Sequence, residues 1–395
     1  MKILVLNSWS SSLKYELFDM PQKISLAIWL AERIGIEWWT ISYKAKWQKT
    51  KINKDFVSHK EALHEAIKFL TTWENAIISD LKNIAAVWHR IVHWWENFSN
   101  SAVITPEILK EIEQCSDLAP LHNPANIQWI MACQEIMWDT PQVWVFDTAF
   151  HQSMEKENYL YAIPYEYYTK HKIRRYGFHW TSHKYVSKRV CEVLNTDINT
   201  QKIITCHIWN GASITAIKEW KVVNTSMWFT PLAGLVMWTR SWDIDPAIIW
   251  FLNKSENLSN QEINDILNKK SWLLWISWQS SDLRDIETWD AQCQLAFDIY
   301  INRIIEYIGS YIALMWWVDT IVFTAWVWEK SPIARQKIVD KLSYLWIKLN
   351  EKNNNIKSKE IRISTSDSKI NVMVIPTKEE LMIATDTFNL INAIL

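Results

Sequence analysis

The chain has 395 residues, more than one ordinary hydrophobic core holds, and this length predicts two domains. Its 42 Lys and Arg residues nearly balance its 43 Asp and Glu residues, and like charges form no block. This balance argues against a surface for nucleic acid or for an anionic membrane. We therefore expect a small molecule as partner.

The cysteines and the N-terminus indicate a reducing compartment. The cysteines lack the spacing of a zinc site or a disulfide framework, so we expect small buried residues. The N-terminal MKILVLNSW has no long apolar core with a cleavage site, and Glu306 and Asp319 interrupt the longest apolar stretch. We predict a cytoplasmic protein. The cysteines are Cys115, Cys133, Cys191, Cys206 and Cys293.

Short apolar runs alternate with helical patterns along the chain. MKILVLNSW predicts a strand that runs into a Ser-rich turn, and Ser58 with Glu61 forms a capping box before a helix. A polar loop or hairpin is predicted at 353–359. Strand, loop and helix recur in both halves, which predicts an α/β protein with its site at the strand ends. Further strands are predicted at 85–87, 143–146, 203–207 with a continuation at 213–217, and 320–323.

The balance of tryptophan and glycine is abnormal, with 28 Trp and 5 Gly. The tryptophans follow no helix or strand period and stand where the chain turns, as Trp9 does between serines and Trp209 does before Asn-Gly. Such turns need a positive φ or bare backbone, which glycine supplies. We interpret most of these Trp residues as native Gly, because a stop codon read as glycine in the source was translated as tryptophan. The alternative is an authentic Trp-rich protein with aromatic anchors at its turns.

A few polar clusters along the chain suit phosphoryl transfer. That reaction needs cations and hydrogen-bond donors around the phosphoryl oxygens and a metal that bridges the phosphates. Taken singly, each of these residues is more often part of a surface ion pair, so the prediction depends on their combination. The residues are Asn7, Ser10, Ser12, Lys14, Arg90, Asp147, His179, Asn210, Thr239, Arg240 and Glu379.

Two histidine pairs have the i, i+4 spacing of a zinc site. They are His89 with His93 and His179 with His183. Neither pair has the intervening Glu or a third ligand, so zinc is the weaker interpretation.

Motifs along essentially the whole chain resemble those of the acetate kinases, a family of the superfamily that also holds sugar kinases, actin and heat-shock ATPases. In seven of the nine motifs the sequence has Trp where the family has Gly. One small departure is Lys378, where the family usually has Asn. The motifs are NSWSSSLKY, VWHRIVHWWENF, VFDTAFH, RRYGFHWTSHKYV, CHIWNGASITAI, TSMWFTPLAGLVMWTRSWDIDP, WLLWISWQSSDLRDIE, FTAWVWEKSP and VIPTKEELMIATDT.

The resemblance implies two domains of duplicated ribonuclease-H-like architecture, as in actin-like ATPases, with the active site in the cleft between them. The N-terminal domain would comprise 1–150 plus about 385–395, and the nucleotide-binding domain 151–384. The implied activity is reversible, direct in-line transfer of the γ-phosphoryl of ATP to acetate, which gives acetyl phosphate and ADP. Mg²⁺ would be the cofactor, with Mn²⁺ as the alternative, and the protein would be a homodimer.

The resemblance also implies roles for single residues. Arg90 and Arg240 would bind the acetate carboxylate and the γ-phosphate, His179 would donate to the transferring phosphoryl group, and Asp147 would orient the arginines or the carboxylate. Asn7 and Glu379 would place the metal. The methyl pocket would consist of Val92, Leu121, Phe178 and Pro231. The nucleotide would be bound by Ser10, Ser12, Lys14, His207, Asn210, Gly211, Asp282, Arg284, Trp326 and Trp328.

Two alternatives to acetate phosphorylation stay open. Propionate or butyrate as acceptor would need a larger apolar pocket, a difference worth only about 1–3 kcal/mol per methylene. If the Trp residues are authentic, their rings would fill the nucleotide cleft, and the chain would be a binding protein without kinase activity.

Overall fold

The computed structural model describes residues 1–9, 12–32, 40–46, 48–53, 59–91, 102–114, 123–137, 139–146, 149–209, 211–271, 290–325 and 329–394. The chain forms two units. The first comprises Met1–Ala149 together with Lys378–Leu395, and the second comprises Phe150–Thr377. The C-terminal segment therefore folds with the N-terminal part of the chain.

The first unit contains a sheet in the order β5-β4-β3-β2-β1-β6-β8-β7. Strands β1 to β5 form an antiparallel meander, and β6 and β8 continue the sheet parallel to β1. The strands are Lys2–Trp9 (β1), Ser12–Asp19 (β2), Ile24–Glu32 (β3), Thr40–Ala45 (β4), Gln48–Asn53 (β5), Ile84–Ile91 (β6), Ala102–Val103 (β7) and Gln142–Phe146 (β8).

The second unit contains a sheet in the order β11-β10-β9-β12-β14-β13. Strands β9, β10 and β11 form an antiparallel meander, and β12 and β14 continue it parallel to β9. The strands are Lys202–Ile208 (β9), Ala212–Lys218 (β10), Lys221–Thr225 (β11), Thr320–Thr324 (β12), Ile361–Arg362 (β13) and Asn371–Val374 (β14).

The two sheets share one core topology, because in each three successive antiparallel strands (β1 to β3 and β9 to β11) are continued on the other side of the first strand by two parallel strands. In the first sheet β4 and β5 extend the meander. This repetition is the duplicated ribonuclease-H-like architecture that the resemblance implied, and the predicted α/β fold class is confirmed. Parallel strands have their carboxyl ends at the same edge of a sheet. The carboxyl ends of β1 and β6 therefore lie at one edge of the first sheet, and those of β9 and β12 lie at one edge of the second.

The described helices connect and cover these strands. None of them has an apolar stretch long enough to cross a membrane. The helices are His59–Thr71 (α1), Pro106–Gln114 (α2), Asn123–Ile136 (α3), Lys156–Tyr159 (α4), Glu166–His171 (α5), Trp180–Leu194 (α6), Ala247–Ser255 (α7), Asn260–Lys269 (α8), Ala291–Met315 (α9), Pro332–Lys341 (α10), Glu351–Asn354 (α11) and Glu379–Ile394 (α12).

The central strands of both sheets are buried on both faces. In β1 the consecutive residues 3–6 are buried, and β12 is buried along its full length. In the first unit the rings of Tyr15 and Trp29 stack with centroids 5.6 Å apart, and the Tyr15 hydroxyl donates to the carbonyl oxygen of Ala66 in α1 at 3.1 Å. Continuous apolar runs, rather than alternation, are typical of strands covered by helices on both sides.

Most predicted elements are confirmed. The predicted N-terminal strand is β1, the other predicted strand segments lie within β6, β8, β9, β10 and β12, and α1 follows the predicted capping box. Ser58 itself lies outside the described residues.

Two predictions were wrong in detail. Residues 213–217 belong to a separate antiparallel strand rather than to a continuation of β9, because the chain reverses before Ala212. The polar segment that begins at Asn353 starts inside α11, where the Asn350 side chain caps the helix.

The four described cysteines are free and buried, as predicted. Burial raises the pKa of each thiol, so none of them is a reactive thiolate at neutral pH. Cys115 lies outside the described residues.

Several tryptophans occupy backbone positions that suit glycine. Trp220, Trp242, Trp316 and Trp346 have φ angles of 66°, 66°, 65° and 56°. A left-handed backbone costs a residue with a side chain about 1–2 kcal/mol, because Cβ approaches the following carbonyl oxygen. Trp316 ends α9 and is 89 % exposed, and Trp346 is 64 % exposed, so little packing offsets this cost. Glycine is the usual residue at such helix ends.

Buried indoles give a second indication. The indole N–H groups of Trp88 and Trp228 are buried and have no hydrogen-bond partner among the described residues. A buried Trp N–H is usually bonded, and leaving it unbonded is costly. Both residues stand where the resembling family has Gly, so these contacts also favour the interpretation of the tryptophans as native glycines.

We predict that Trp316→Gly and Trp346→Gly each raise the free energy of unfolding by about 1 kcal/mol, because glycine removes the left-handed strain. The matched control is Trp250→Gly, which is also exposed but lies inside α7. There glycine should lower the free energy of unfolding by about 0.5–1 kcal/mol. Urea denaturation measures all three variants. Shifts of the same sign at all three positions would contradict the argument from backbone conformation.

Candidate active site

Three predicted site residues of the first unit lie on neighbouring elements. Asn7 on β1 is directly opposite Lys14 on β2, so both side chains are on one face of the sheet. Glu379 is the first residue of α12, which packs on β1, β2 and β6. The sequence separates Glu379 from Lys14 by most of its length, and the return of the chain to this unit brings them together.

Carboxylates surround the Lys14 ammonium group. It forms an ion pair with Glu380, the residue after Glu379. Burial alone would lower the pKa of Lys14, but Glu380, Glu16 and Glu379 together raise it above its ordinary value. Lys14 therefore carries its positive charge at neutral pH.

The Asn7 amide and the Glu379 carboxylate supply oxygen atoms of the type that a hard divalent cation prefers. Among the residues that the structure describes, no group of three or more His, Cys, Asp or Glu side chains could hold a metal ion. Two protein oxygens are nevertheless enough for Mg²⁺, which usually keeps several waters and takes further ligands from substrate phosphates.

In the second unit His179 has an unusual backbone and a fixed ring. It precedes α6 with φ 56° and ψ 31°, a left-handed conformation for a residue that has a side chain. Its Nδ1 lies 2.8 Å from the Ser213 hydroxyl oxygen, and its ring stacks on His207 with centroids 4.3 Å apart. Strain of this kind is concentrated at functional sites, where the surrounding structure maintains it.

Gly211 faces the other nitrogen of His179. A Cβ atom placed on Gly211 would lie 3.3 Å from His179 Nε2, so the glycine keeps this side of the imidazole clear. The structure thus brings together His179, His207 and Gly211, three of the predicted site residues.

His183 is buried behind this group. Its Nε2 lies 2.7 Å from the Ser213 hydroxyl oxygen and its Nδ1 lies 2.6 Å from the Thr205 hydroxyl oxygen. Burial, followed by the neighbouring His151 and His207, lowers its pKa well below the ordinary value, so the ring is neutral. Hydroxyl groups contact both ring nitrogens, which weighs against the zinc interpretation of the His179 and His183 pair.

Arg240 and Pro231 lie in contact in the loop after β11. The Arg240 Nη1 donates to the Pro231 carbonyl oxygen at 3.0 Å. Burial lowers the pKa of Arg240, but a guanidinium group stays charged in proteins. Phe178, the apolar neighbour of His179, is 4 % exposed.

Asp243 holds this loop, and the sequence analysis assigned it no role. Its Oδ1 accepts from the Gly234 backbone N–H at 2.7 Å, and its Oδ2 accepts from the Tyr307 hydroxyl at 2.7 Å and pairs with Arg303. Gly234 has φ 110°, and a Cβ atom there would lie 2.1 Å from the Ser226 carbonyl oxygen. The available signal was the position of Asp243 in the motif TRSWDIDP, three residues after Arg240.

The other predicted site residues give no side-chain geometry. Arg90 lies in β6 and Ser12 begins β2, but their side chains are outside the description. The remaining predicted residues lie outside the described residues altogether. They are Ser10, Val92, Leu121, Asp147, Asn210, Asp282, Arg284, Trp326 and Trp328.

The duplicated sheets and the cationic, hydrogen-bonding groups at their strand ends define the class of α/β phosphotransferases. The comparisons with known proteins specify the family. A sequence model of the acetokinase family matches residues 2–385. The acetate kinase of Thermoanaerobacterium thermosaccharolyticum is 51 % identical over 399 residues, which cover 100 % of both chains. The chain therefore belongs to the acetokinase family.

Two solved structures are similar over nearly the whole chain. The acetate kinase of Porphyromonas gingivalis has a TM-score of 0.92 and 43 % identity, covering 98 % of this chain and 99 % of that one. A propionate kinase from Francisella tularensis has a TM-score of 0.90 and 40 % identity with the same coverage. The family that the sequence motifs indicated is confirmed.

We predict that Asp243→Asn lowers the free energy of unfolding by about 2 kcal/mol, because a charged acceptor of several hydrogen bonds is lost from a half-buried position. Glu306→Gln is the matched control, since Glu306 also pairs with Arg303, at 2.8 Å, but is 62 % exposed. It should change the free energy by less than about 0.5 kcal/mol. Denaturant unfolding compares the two, and equal effects would show that Asp243 is an ordinary surface partner.

We also predict that the protein loses stability in acid through its buried histidines. Burial lowers the pKa of His151 to about 3 and that of His89 to about 4, below the ordinary value of about 6.5. Between these values the unfolded chain binds protons that the folded chain does not, so the free energy of unfolding falls as the pH falls below about 6.5. Each histidine contributes a slope of roughly 1.4 kcal/mol per pH unit.

His151→Gln tests this slope. Between about pH 6 and pH 4 the free energy of unfolding of the variant should fall less steeply than that of the parent protein, because one histidine no longer contributes. Above about pH 7 the two free energies should depend on pH in the same way. Urea unfolding at a series of pH values measures the difference. Equal slopes for the two proteins in acid would show that His151 is not held neutral by its burial.

Proposed function

We propose that the protein is an acetate kinase, which transfers the γ-phosphoryl group of ATP to acetate and forms acetyl phosphate and ADP reversibly. The observation that carries this proposal is the 51 % identity to an acetate kinase over 100 % of both chains. The enclosed, hydrogen-bonded His179 and the half-buried Arg240 support it, because phosphoryl transfer depends on fixed donors and cations.

In the proposed reaction acetate is already ionised near neutral pH, so its carboxylate attacks the γ-phosphorus without a general base. Arg90 and Arg240 bind the carboxylate and the γ-phosphate, and Asp147 orients them. His179 donates to the transferring phosphoryl group, and the contact of its Nδ1 with the Ser213 hydroxyl fixes the ring. A fixed donor of this kind stabilises charge in the transition state without reorganisation.

A divalent cation is part of the proposal. Asn7 and Glu379 would hold Mg²⁺, or Mn²⁺ in its place, and the ion would supply positive charge to the phosphate groups. Ser10, Ser12 and Lys14 bind the phosphates. Lys14, opposite Asn7 and paired with Glu380, is in a suitable position for this role.

The other site residues have binding roles in the proposal. Phe178, Pro231, Val92 and Leu121 form the pocket for the methyl group. His207, Asn210, Gly211, Asp282, Arg284, Trp326 and Trp328 bind the nucleotide. The homodimer and the cytoplasmic location stay predictions.

A second candidate acceptor is propionate, because one similar solved structure is named a propionate kinase. An additional methylene changes binding by only about 1–3 kcal/mol, so the pocket residues do not decide between the acids. The ratio of kcat/KM for acetate, propionate and butyrate separates them, and a ratio above one for acetate over propionate supports the proposal.

The proposal is tested by comparing two synthetic genes, one with Gly and one with Trp at the 28 Trp positions. We expect acetyl phosphate formation, measured as the hydroxamate, from the Gly protein. The alternative of a kinase fold without activity requires that the Trp protein folds and both proteins are inactive with ATP and all three acids.

In the active protein Arg240→Ala should lower kcat by roughly 100- to 1000-fold, because a fixed cation at the phosphoryl group is lost. Arg189→Ala is the control, since Arg189 pairs with Glu192 and Glu360 at the surface. It should leave kcat unchanged. His179→Ala should lower kcat while the dissociation constant for ATP stays nearly constant. Parent-like turnover in Arg240→Ala would contradict the proposed anion site.

A further inference from the structure

A charged face of the first sheet lies beneath the N-terminal turn of α12. Along β2 the side chains of Leu13, Tyr15 and Leu17 are buried in the core on one face, so Lys14 and Glu16 lie on the other. Asn7, opposite Lys14, shares that second face. These polar side chains therefore form one surface, and the first turn of α12 covers part of it.

Lys14 and Glu380 are the central pair on this face. The side chains of Lys14 and Glu380 are 32 % and 19 % exposed, so the pair is half-buried. Glu16, 9 % exposed, adds attraction to the ammonium group from within β2. An ion pair that is partly withdrawn from water is screened less than a surface pair and restrains both side chains more.

The geometry leaves donors of Lys14 available. An ammonium group has three N–H donors, and one bond to Glu380 leaves two for other acceptors. A lysine without a partner loses much rotamer freedom when it binds a ligand, whereas one that is already held loses less. The face around Asn7 and Glu379 is where the proposed function places the nucleotide phosphates.

We propose that Glu380 is a positioning residue, which holds the Lys14 ammonium beside Asn7 and Glu379 so that it binds the nucleotide phosphates. The inference rests on the proposed function, in which Lys14 faces the phosphates. Glu380 itself does not contact the nucleotide. Its effect is to fix the lysine before the nucleotide arrives.

If Glu380 acted only through its charge, we would expect the opposite effect on nucleotide binding. A carboxylate near phosphate groups repels them, so removal of its charge would strengthen nucleotide binding if Glu380 were only a neighbour. If Glu380 positions Lys14, the same substitution weakens binding, because the ammonium group loses its fixed place. The sign of the change in affinity therefore distinguishes the two cases.

The test is calorimetric binding of ADP, with and without Mg²⁺, to full-length variants. We expect Glu380→Gln to weaken ADP binding by about tenfold, the size of one hydrogen bond to a charged group. The KM for ATP should rise while the KM for acetate stays constant. Glu380→Asp, which keeps the charge, should recover part of the affinity. Glu74→Gln, an exposed carboxylate of the same unit, is the control and should bind as the parent does.

A double-mutant cycle completes the test. In a Lys14→Met background Glu380→Gln should cause no further loss, because the residue that Glu380 positions is gone. Unchanged or tighter ADP binding by Glu380→Gln, or an equal loss in both backgrounds, would overturn the inference. Thermal unfolding of each variant checks the fold, and Glu380→Asp carries the test if Glu380→Gln does not fold.

The outcomes separate this inference from the proposed function. A parent protein that binds ADP but makes no acetyl phosphate contradicts the proposed function, and the effect of Glu380 on ADP binding is still measured. A parent protein that is an active kinase, with a Glu380→Gln variant of equal ADP affinity, contradicts only the inference.

Discussion

The second unit depends on positions where the backbone passes so close to a neighbouring segment that a side chain has no room. A Cβ atom on Gly177 would lie 2.6 Å from the His151 ring, and one on Gly234 would lie 2.1 Å from the Ser226 carbonyl oxygen. Both glycines also have a positive φ. They place His179 and the Arg240 loop, so each of these catalytic candidates depends on a neighbour without a side chain. Trp242 and Trp316 also have a positive φ, and this is the physical reason to interpret these tryptophans as native glycines.

Hydrogen bonds to hydroxyl groups hold the imidazoles of His179 and His183, whereas an ion pair holds Arg303. Ser213 connects His179 to His183, and the burial of His183 keeps its ring neutral. A charged ring there would lack a counter-ion and would cost far more to bury. Asp243, by contrast, binds Arg303 and Tyr307 at a half-exposed site, where charges are partly solvated. Hydrogen bonds to hydroxyl groups thus occur at the buried imidazole, and the ion pair occurs at the half-exposed carboxylate.

The C-terminal helix brings two carboxylates to the Lys14 ammonium group. Glu379 and Glu380 come from the opposite end of the chain and reach Lys14 because α12 packs on the strands next to β2. The N-terminal part of the chain thus has the amide, the ammonium group and Glu16, and the C-terminal segment adds Glu379 and Glu380. The proposed metal and phosphate sites therefore form only when the two ends of the chain fold together.

The sequence alone determined the fold class and the family, because apolar runs, turn residues and motifs are local properties of the chain. It also singled out Asn7, Lys14, His179, Arg240 and Glu379 as site candidates. The structure has them in β1, in β2, before α6, in the loop after β11 and at the start of α12. Which of these side chains contact one another was determined only by the tertiary structure. The pairing of Lys14 with Glu380, the contact of His179 with Ser213 and the pairing of Asp243 with Arg303 are contacts between distant segments. Such contacts depend on strand register and helix packing, which no local pattern specifies.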